Sequence, residues 1–234
     1  MRMKPVEIPE NGAYVLSNAR VPISMLSADT INLVGADIDQ DGTACVSIAI
    51  DEGGFISDVF PALKEAQFSD TPIVNCRGQH LWARLSDVHT HLDKTQTWSS
   101  APNRDGTADG AKHAAKALRQ SPWSYDEVYR RMEFGVRSAL HYGTCALRTH
   151  IDSQPGSTHP SWAAFSDLRA SYKAGIKLQA VATLGASKLH GEYGDEIAKL
   201  AADFDAALGR VISQTDRMRS DIERGLNLAE RYEV

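Results

Sequence analysis

The sequence is poor in cysteine and has no long apolar run. Its three cysteines, Cys45, Cys76 and Cys145, are isolated and odd in number. None belongs to a Cys-x-x-Cys pair, so neither a disulfide framework nor a structural zinc site is expected. That usage fits a reducing cytoplasm. The first residues, Met1-Arg2-Met3-Lys4-Pro5-Val6-Glu7, lack the apolar core of a signal peptide. No stretch approaches the ~20 apolar residues of a membrane span. One-signed charge is scarce too: the formal net charge is −5, without a long like-charge run. That argues against nucleic acid or a membrane surface as a partner. Solenoid repeats and low-complexity segments are also missing. The remainder, 42% hydrophobic and 24% charged, is an ordinary globular composition with enough apolar side chains for a core.

The most informative segment is Ser86-Asp87-Val88-His89-Thr90-His91-Leu92-Asp93-Lys94. Side chains alternate along an extended strand, so imidazoles at i and i+2 point to the same side. One metal ion can take a nitrogen from each, whereas on a helix this spacing would splay them apart. Leu81-Trp82-Ala83-Arg84-Leu85 reads as a short buried strand leading into the pair. The plain alternative is two solvated histidines at a strand end.

Residues up to about 80 read as short strands: Tyr14-Leu16, Ile31-Val34, Cys45-Ile50, Phe55-Val59 and Ile73-Cys76. Turn signals at Asp41-Gly42 and Gly53-Gly54 separate some of them, and the alternation from Ala44 to Ile50 suggests a half-buried antiparallel sheet. From Leu81 the rhythm changes to strand, loop, helix. Helices are expected at Ala108 to Gln120 and Ser124 to Tyr142. For the second, Ser124-Tyr125-Asp126-Glu127 fits a capping box, Val128, Met132, Val136 and Leu140 recur at helical spacing, and Gly143 suits the C′ position. A second strand at Thr144-Ile151 follows. Then comes a helix with Pro160 in its first turn, a stripe of Ala164, Phe165, Leu168 and Tyr172, and Gly175 at its end. Next are a strand at Ile176-Thr183, a helix near Glu196-Phe204, a strand at Leu208-Ser213 and a helix at Met218-Tyr232 with Ile222, Leu226 and Ala229 inward. This alternation predicts parallel strands with right-handed crossovers.

Asp87-Val88-His89-Thr90-His91-Leu92-Asp93-Lys94 and Leu147-Arg148-Thr149-His150-Ile151-Asp152 resemble the first two barrel-strand motifs of the cytosine-deaminase-like branch of the amidohydrolase superfamily. Pro102-Asn103-Arg104-Asp105-Gly106-Thr107 is similar to a loop of uncharacterised bacterial members. The resemblance runs from about Ala13 to the last residue. It implies an α/β fold: a small β-domain over residues 1–80, then over 81–234 roughly the first half, strands 1–4, of a (β/α)8 TIM-type barrel. A complete barrel takes roughly 250 residues, and Ser86 to Val234 has room for about four or five of its units. The expectation is therefore the N-terminal piece of a longer polypeptide, or a chain completed by a second one.

The resemblance also implies chemistry. His89 and His91 are the metal ligands, holding one divalent transition metal, zinc or iron. A histidine on strand five, an aspartate on strand eight and a general acid/base glutamate complete such sites, and all are expected beyond Val234. No catalytic residue is expected within the chain, and residues 1–234 alone are expected to be inactive. The implied activity is a metal-dependent hydrolase that deaminates a small N-heterocycle. Hydrolysis of an N-alkyl or amide C–N bond, or an inert fragment serving as a binding protein, stands as the alternative. Expected partners are that small-molecule substrate and further copies of the complete protein.

In a barrel the chemistry sits at the C-terminal ends of the strands. His89, His91, His150 and Leu184-Gly185 should therefore meet at one mouth. His150 is open between a third metal contact, a partner behind the ligands and a structural hydrogen-bonding residue. Asp93 could orient a metal-bound imidazole. Lys94 could face the substrate or solvate the rim, and Gln96 and Trp98 could line the pocket or point outward. Arg148 could pair with Asp93 or Asp152. Gly185 stands where cytosine deaminases place a pyrimidine-reading glutamine, which disfavours cytosine itself. His80, His113, His141, His159 and His190 have no constellation around them and read as surface or loop residues.

Overall fold

The structure is a computed structural model that describes residues 6–34, 38–61, 70–120, 122–155, 157–212 and 214–234. Met1–Pro5 of the N-terminal stretch and Ser213, the expected end of the fourth strand, lie outside them. Two compact units divide the chain, Met1–Ala83 and Arg84–Val234. No helix among the described residues is long and apolar enough to cross a membrane.

The first unit is a four-stranded sheet ordered β3-β2-β1-β4, from Ile56–Pro61, Thr43–Ile50, Tyr14–Pro22 and Ile73–Asn75. β1 and β2 pair antiparallel, as do β2 and β3, but β4 runs parallel to β1. The sheet is mixed, which corrects the antiparallel expectation. Ile31-Val34 is not a strand either, but the end of helix α1 (Ala28–Val34). Its β-branched residues were outweighed by the start signal before them: the Ser27 hydroxyl accepts the Thr30 amide at 3.2 Å, and Asp29 sits in the first turn.

The second unit is a parallel sheet in sequential order, β5 (Leu85–Thr90), β6 (Thr144–Asp152), β7 (Lys177–Gly185) and β8 (Ala207–Val211). Helices α2 (Ala108–Leu118) and α3 (Tyr125–His141) connect β5 to β6, and α4 (Thr158–Tyr172) connects β6 to β7. α5 (Glu192–Asp203) leads to β8, and α6 (Met218–Tyr232) follows. These are four β/α units, half of an eight-stranded barrel, as the sequence implied.

Side chains of β6 and β7 divide between the two faces of the sheet by parity. Leu147 and Ile151 of β6, with Leu178, Ala180, Ala182 and Leu184 of β7, join the core formed with Met132, Val136, Trp162, Phe165, Leu168 and Ile197 from the helices. Their alternates, Arg148, His150, Asp152, Gln179, Thr183 and Gly185, take the opposite face. Fully burying a side chain such as Phe165 contributes roughly 1.5–3 kcal/mol. Consequently the helix-bearing face carries the stability, and the other face is left for polar chemistry.

Local signals explain most helix bounds. The Ser124 hydroxyl accepts the Glu127 amide at 3.3 Å, while the Glu127 carboxylate turns away to Arg131, so half of the expected capping box forms. Gly143 takes φ +84 after α3, a conformation glycine adopts without Cβ strain. Three expectations need correction. The Leu81-Leu85 lead-in is not a buried strand: Trp82 at 59% and Leu85 at 57% are exposed, Leu81 is only partly buried against the first unit's core, and β5 begins at Leu85. Leu184-Gly185 lies within β7 rather than after it. α6 buries Asp221, Gly225 and Leu228 while Leu226 is exposed, and the Arg210 side chain packs against Gly225 in the space a Cβ there would take.

Gly194 tests the packing of α5. A Cβ there would lie 2.2 Å from the Leu189 carbonyl oxygen, which is backbone and cannot swing aside. Helix propensity alone predicts that Gly194→Ala stabilises by about 1 kcal/mol. The close approach predicts the reverse, a loss of ~1–3 kcal/mol in urea denaturation. A stabilised variant would contradict the packing.

Candidate active site

β5 ends at Thr90, and the chain passes through His91 (φ −127, ψ 80) into a 3-10 turn at Leu92–Lys94. The near-extended geometry keeps the two imidazoles on one side, with ring centroids 5.6 Å apart. β6 brings His150 to the same place. Its ring stacks on His89 at 3.8 Å with 15° between planes, and lies 5.7 Å from His91. The turn is anchored from three directions. The Leu92 amide donates to the Thr149 hydroxyl at 3.0 Å, the Thr95 hydroxyl donates to the Arg131 carbonyl of α3, and the Asp152 amide donates to Asp93 Oδ2 at 3.0 Å. Gly135 lets α3 lie this close, since a Cβ there would meet Leu92 at 2.6 Å.

Beside the imidazoles sits an ionic cluster. Asp152 Oδ1 accepts from Lys94 Nζ at 2.8 Å, and Oδ2 receives Arg119 Nε at 2.9 Å and Nη2 at 2.8 Å. Lys94 Nζ also stands 3.3 Å from His91 Nδ1. Burial pushes the Asp152 carboxyl up, but Lys94 and Arg119 outweigh it and hold it below the usual carboxylate range. Asp93 is fully buried, its Oδ1 has no hydrogen-bond partner, and burial raises its pKa to about 6. Burial, then the Lys94 cation, lowers His91 to about 4. Burial, then His89, lowers His150 as well. His91 is therefore neutral at pH 7, the form in which imidazole donates a lone pair.

Among the described residues, no group of three or more His, Cys, Asp or Glu side chains is arranged to hold a metal ion. Catalytic zinc usually takes three protein ligands. The co-facing pair therefore fits part of a metal site.

No family model matches the chain. It is 35% identical over 175 residues to a pterin deaminase of Rhizobium rhizogenes, covering 74% of this chain and 38% of that protein. The chain belongs to the amidohydrolase superfamily, in its cytosine and pterin deaminase-like branch. Solved structures agree on the fold. The Klebsiella pneumoniae 5-methylcytosine deaminase liganded with 5-fluorocytosine superposes with a TM-score of 0.68 at 20% identity, over 94% of this chain and 49% of that one. The Burkholderia multivorans N-isopropylammelide isopropylaminohydrolase gives 0.66 at 22%, over 95% and 51%. The chain thus spans about half the length of these amidohydrolases, and less of the curated relative.

Of the expected site residues of this amidohydrolase chain, His89, His91, His150, Asp93 and Lys94 come together. Asp93 does not reach a histidine; it pins the ends of β5 and β6 to each other. Lys94 is not free at the rim but paired with Asp152. Arg148 pairs with neither aspartate: its Nε and Nη2 both donate to Gln179 Oε1, at 3.1 and 3.0 Å, because Gln179 is its register partner across the sheet. Gln96 takes φ +60 and is exposed. It lines, with Lys94 and Trp98, a cleft of about 680 Å³ against α2. Gly185 lines another of about 580 Å³ with Asp152, Arg119, Gln154 and Thr183. A Cβ on Gly185 would meet nothing within 4 Å, so the space is open.

Arg119 was missed in the sequence. A cation at the C-terminal end of a helix has an ordinary reading as a dipole partner, and no spacing tied it to Asp152.

Asp93 gives a pH test. Its folded pKa of about 6 lies above the ordinary aspartate value of 3.8, so its contribution to stability is complete below about pH 4 and is lost as pH rises through 6. Asp93→Asn stays neutral and still accepts the Asp152 amide. In the metal-free chain the variant should gain on the wild type between pH 4 and 7, by on the order of 3 kcal/mol in chemical denaturation. A difference independent of pH would contradict the assignment.

Proposed function

We propose that this chain is the strand-one-to-four part of a metal-dependent aminohydrolase that removes an exocyclic amine from a small N-heterocycle, with a pterin as the first candidate. The observation that carries this is the convergence of His89, His91, His150 and Asp152 on the helix-free face at the C-terminal ends of parallel strands. The pterin deaminase likeness points to deamination rather than N-alkyl cleavage.

On this reading His89 and His91 supply two nitrogens to one ion, zinc or iron, and the remaining ligands and the general acid/base lie outside residues 1–234. When bound, such an ion supplies activation of water near neutral pH. The chain's own residues do the rest of what is in view. Burial keeps His91 neutral at pH 7. His150 backs His89 by ring stacking. Asp93 holds the turn that carries His91 against β6, and Lys94 adds a cation beside the ligands. The open space at Gly185 suits a ring system larger than cytosine. We also place the protein in a reducing cytoplasm, in keeping with its free Cys45, Cys76 and Cys145.

Ammonia release by the full-length polypeptide tests the proposal on pterin, cytosine, 5-methylcytosine and an N-alkylated aminotriazine. Pterin should be deaminated with kcat/KM at least tenfold above cytosine, and residues 1–234 alone should stay at background. Gly185→Gln should narrow the gap, because it fills the open space with a hydrogen-bonding side chain. Preference for cytosine by the unmodified enzyme, or turnover by the isolated chain, would contradict this account.

A further inference from the structure

The cleft of about 580 Å³ at the strand ends carries two polar groups with unspent hydrogen-bonding capacity. Ala115 and Arg119 lie one helical turn apart on α2 and face it together. The guanidinium of Arg119 is fixed, because both Nε and Nη2 donate to the single oxygen Asp152 Oδ2. The other oxygen is taken by Lys94. Asp152 is thus satisfied on both sides, and Nη1 of Arg119 has no partner among the described residues. The planar fork that holds the inner edge also fixes the direction of this free donor.

Gln154 stands two residues past Asp152. Its backbone is pinned: its carbonyl accepts from the Ser157 amide at 3.1 Å and from the Thr158 hydroxyl at 2.8 Å. The residue is half-buried, and its carboxamide makes no hydrogen bond among the described residues, although it lines the same cleft. A fixed cationic donor and an amide with both a donor and an acceptor present one recognition edge.

We infer that Arg119 and Gln154 read the –NH–CO– edge of an oxo-substituted amino-heterocycle, with the guanidinium donating to the ring carbonyl and the Gln154 carboxamide oxygen accepting the ring N–H. The inference rests on the aminohydrolase reading and adds a substrate class to it. A ring bearing amines in place of the carbonyl presents donors to the guanidinium and a ring-nitrogen lone pair to the carboxamide oxygen, so like meets like at both positions and the ring is disfavoured. Arg119 is thereby a specificity residue as well as the tether of α2.

The test uses the full-length enzyme with pterin and 2,4-diaminopteridine, which differ at the ring carbonyl. The wild type should favour pterin in kcat/KM by about 100-fold or more. Arg119→Lys keeps a cation for Asp152 but loses the planar fork. It should raise KM for pterin ~10- to 100-fold, the range for a lost charge-assisted hydrogen bond, with kcat changed far less. KM for the diamino compound should move less than threefold. Gln154→Ala, at a side chain with no hydrogen bond to another described residue, should erode the same preference while far-UV circular dichroism stays that of the wild type. Equal losses on both substrates in Arg119→Lys, or an unchanged preference in both variants, would overturn the inference and leave Arg119 as a tether alone. Fluorescence titration with the same two pteridines separates this from the deaminase proposal. An enzyme that releases no ammonia but binds pterin selectively, and loses that selectivity in both variants, refutes deamination and sustains the reading edge.

Discussion

One carboxylate ties three elements of the site together. Asp152 ends β6, and its two oxygens take Lys94 from the turn after β5 and Arg119 from the end of α2, while its amide is held by Asp93. Removing one partner of such a buried group typically costs about 3–5 kcal/mol, because a charge is left uncompensated. The arrangement therefore sets geometry more than it adds stability. It fixes where the β5 turn sits and with it the second imidazole, and it brings α2 over the strand ends even though that helix has no fully buried residue. Asp93 shows the cost of this tie: its remaining oxygen is buried without a partner.

The parity of the strands does the rest. Even positions of β6 and odd positions of β7 reach the helix-free face, and their alternates make the core. A one-residue shift of register would send His150 and Asp152 into the helices. Core packing thus protects the site indirectly: Ile151 and Leu184 are buried in the core, and their burial holds the strand parity that sends His150 and Asp152 to the other face.

Much of this was legible in sequence, where the local signal and the tertiary demand agreed. The i, i+2 histidines, the Val128-Met132-Val136 stripe and the α6 bounds were read from periodicity alone, and the half barrel from motif and alternation together. The failures have physical causes. Ile31-Val34 carried strand-forming residues, but the Ser27 cap decided the helix. Leu226 looked inward by spacing, but the buried face of α6 runs through Asp221, Gly225 and Leu228, and the packing of Arg210 on Gly225, a residue with no apolar side chain, is not visible in a hydrophobic pattern. Arg148 was expected to find a carboxylate, yet its nearest acceptor is set by register with β7, and register is not written in the β6 sequence. Arg119 carried no motif, because its pairing with Asp152 joins the end of α2 to the end of β6 only in the folded chain.

The central claim is that His89 and His91 hold the metal on which the chemistry depends. Elemental analysis of the full-length protein and of a His89→Ala/His91→Ala variant, purified side by side, tests it most directly. The account predicts about one equivalent of zinc or iron per subunit in the wild type and a loss of nearly all of it in a folded variant. Unchanged metal content in the variant would contradict it.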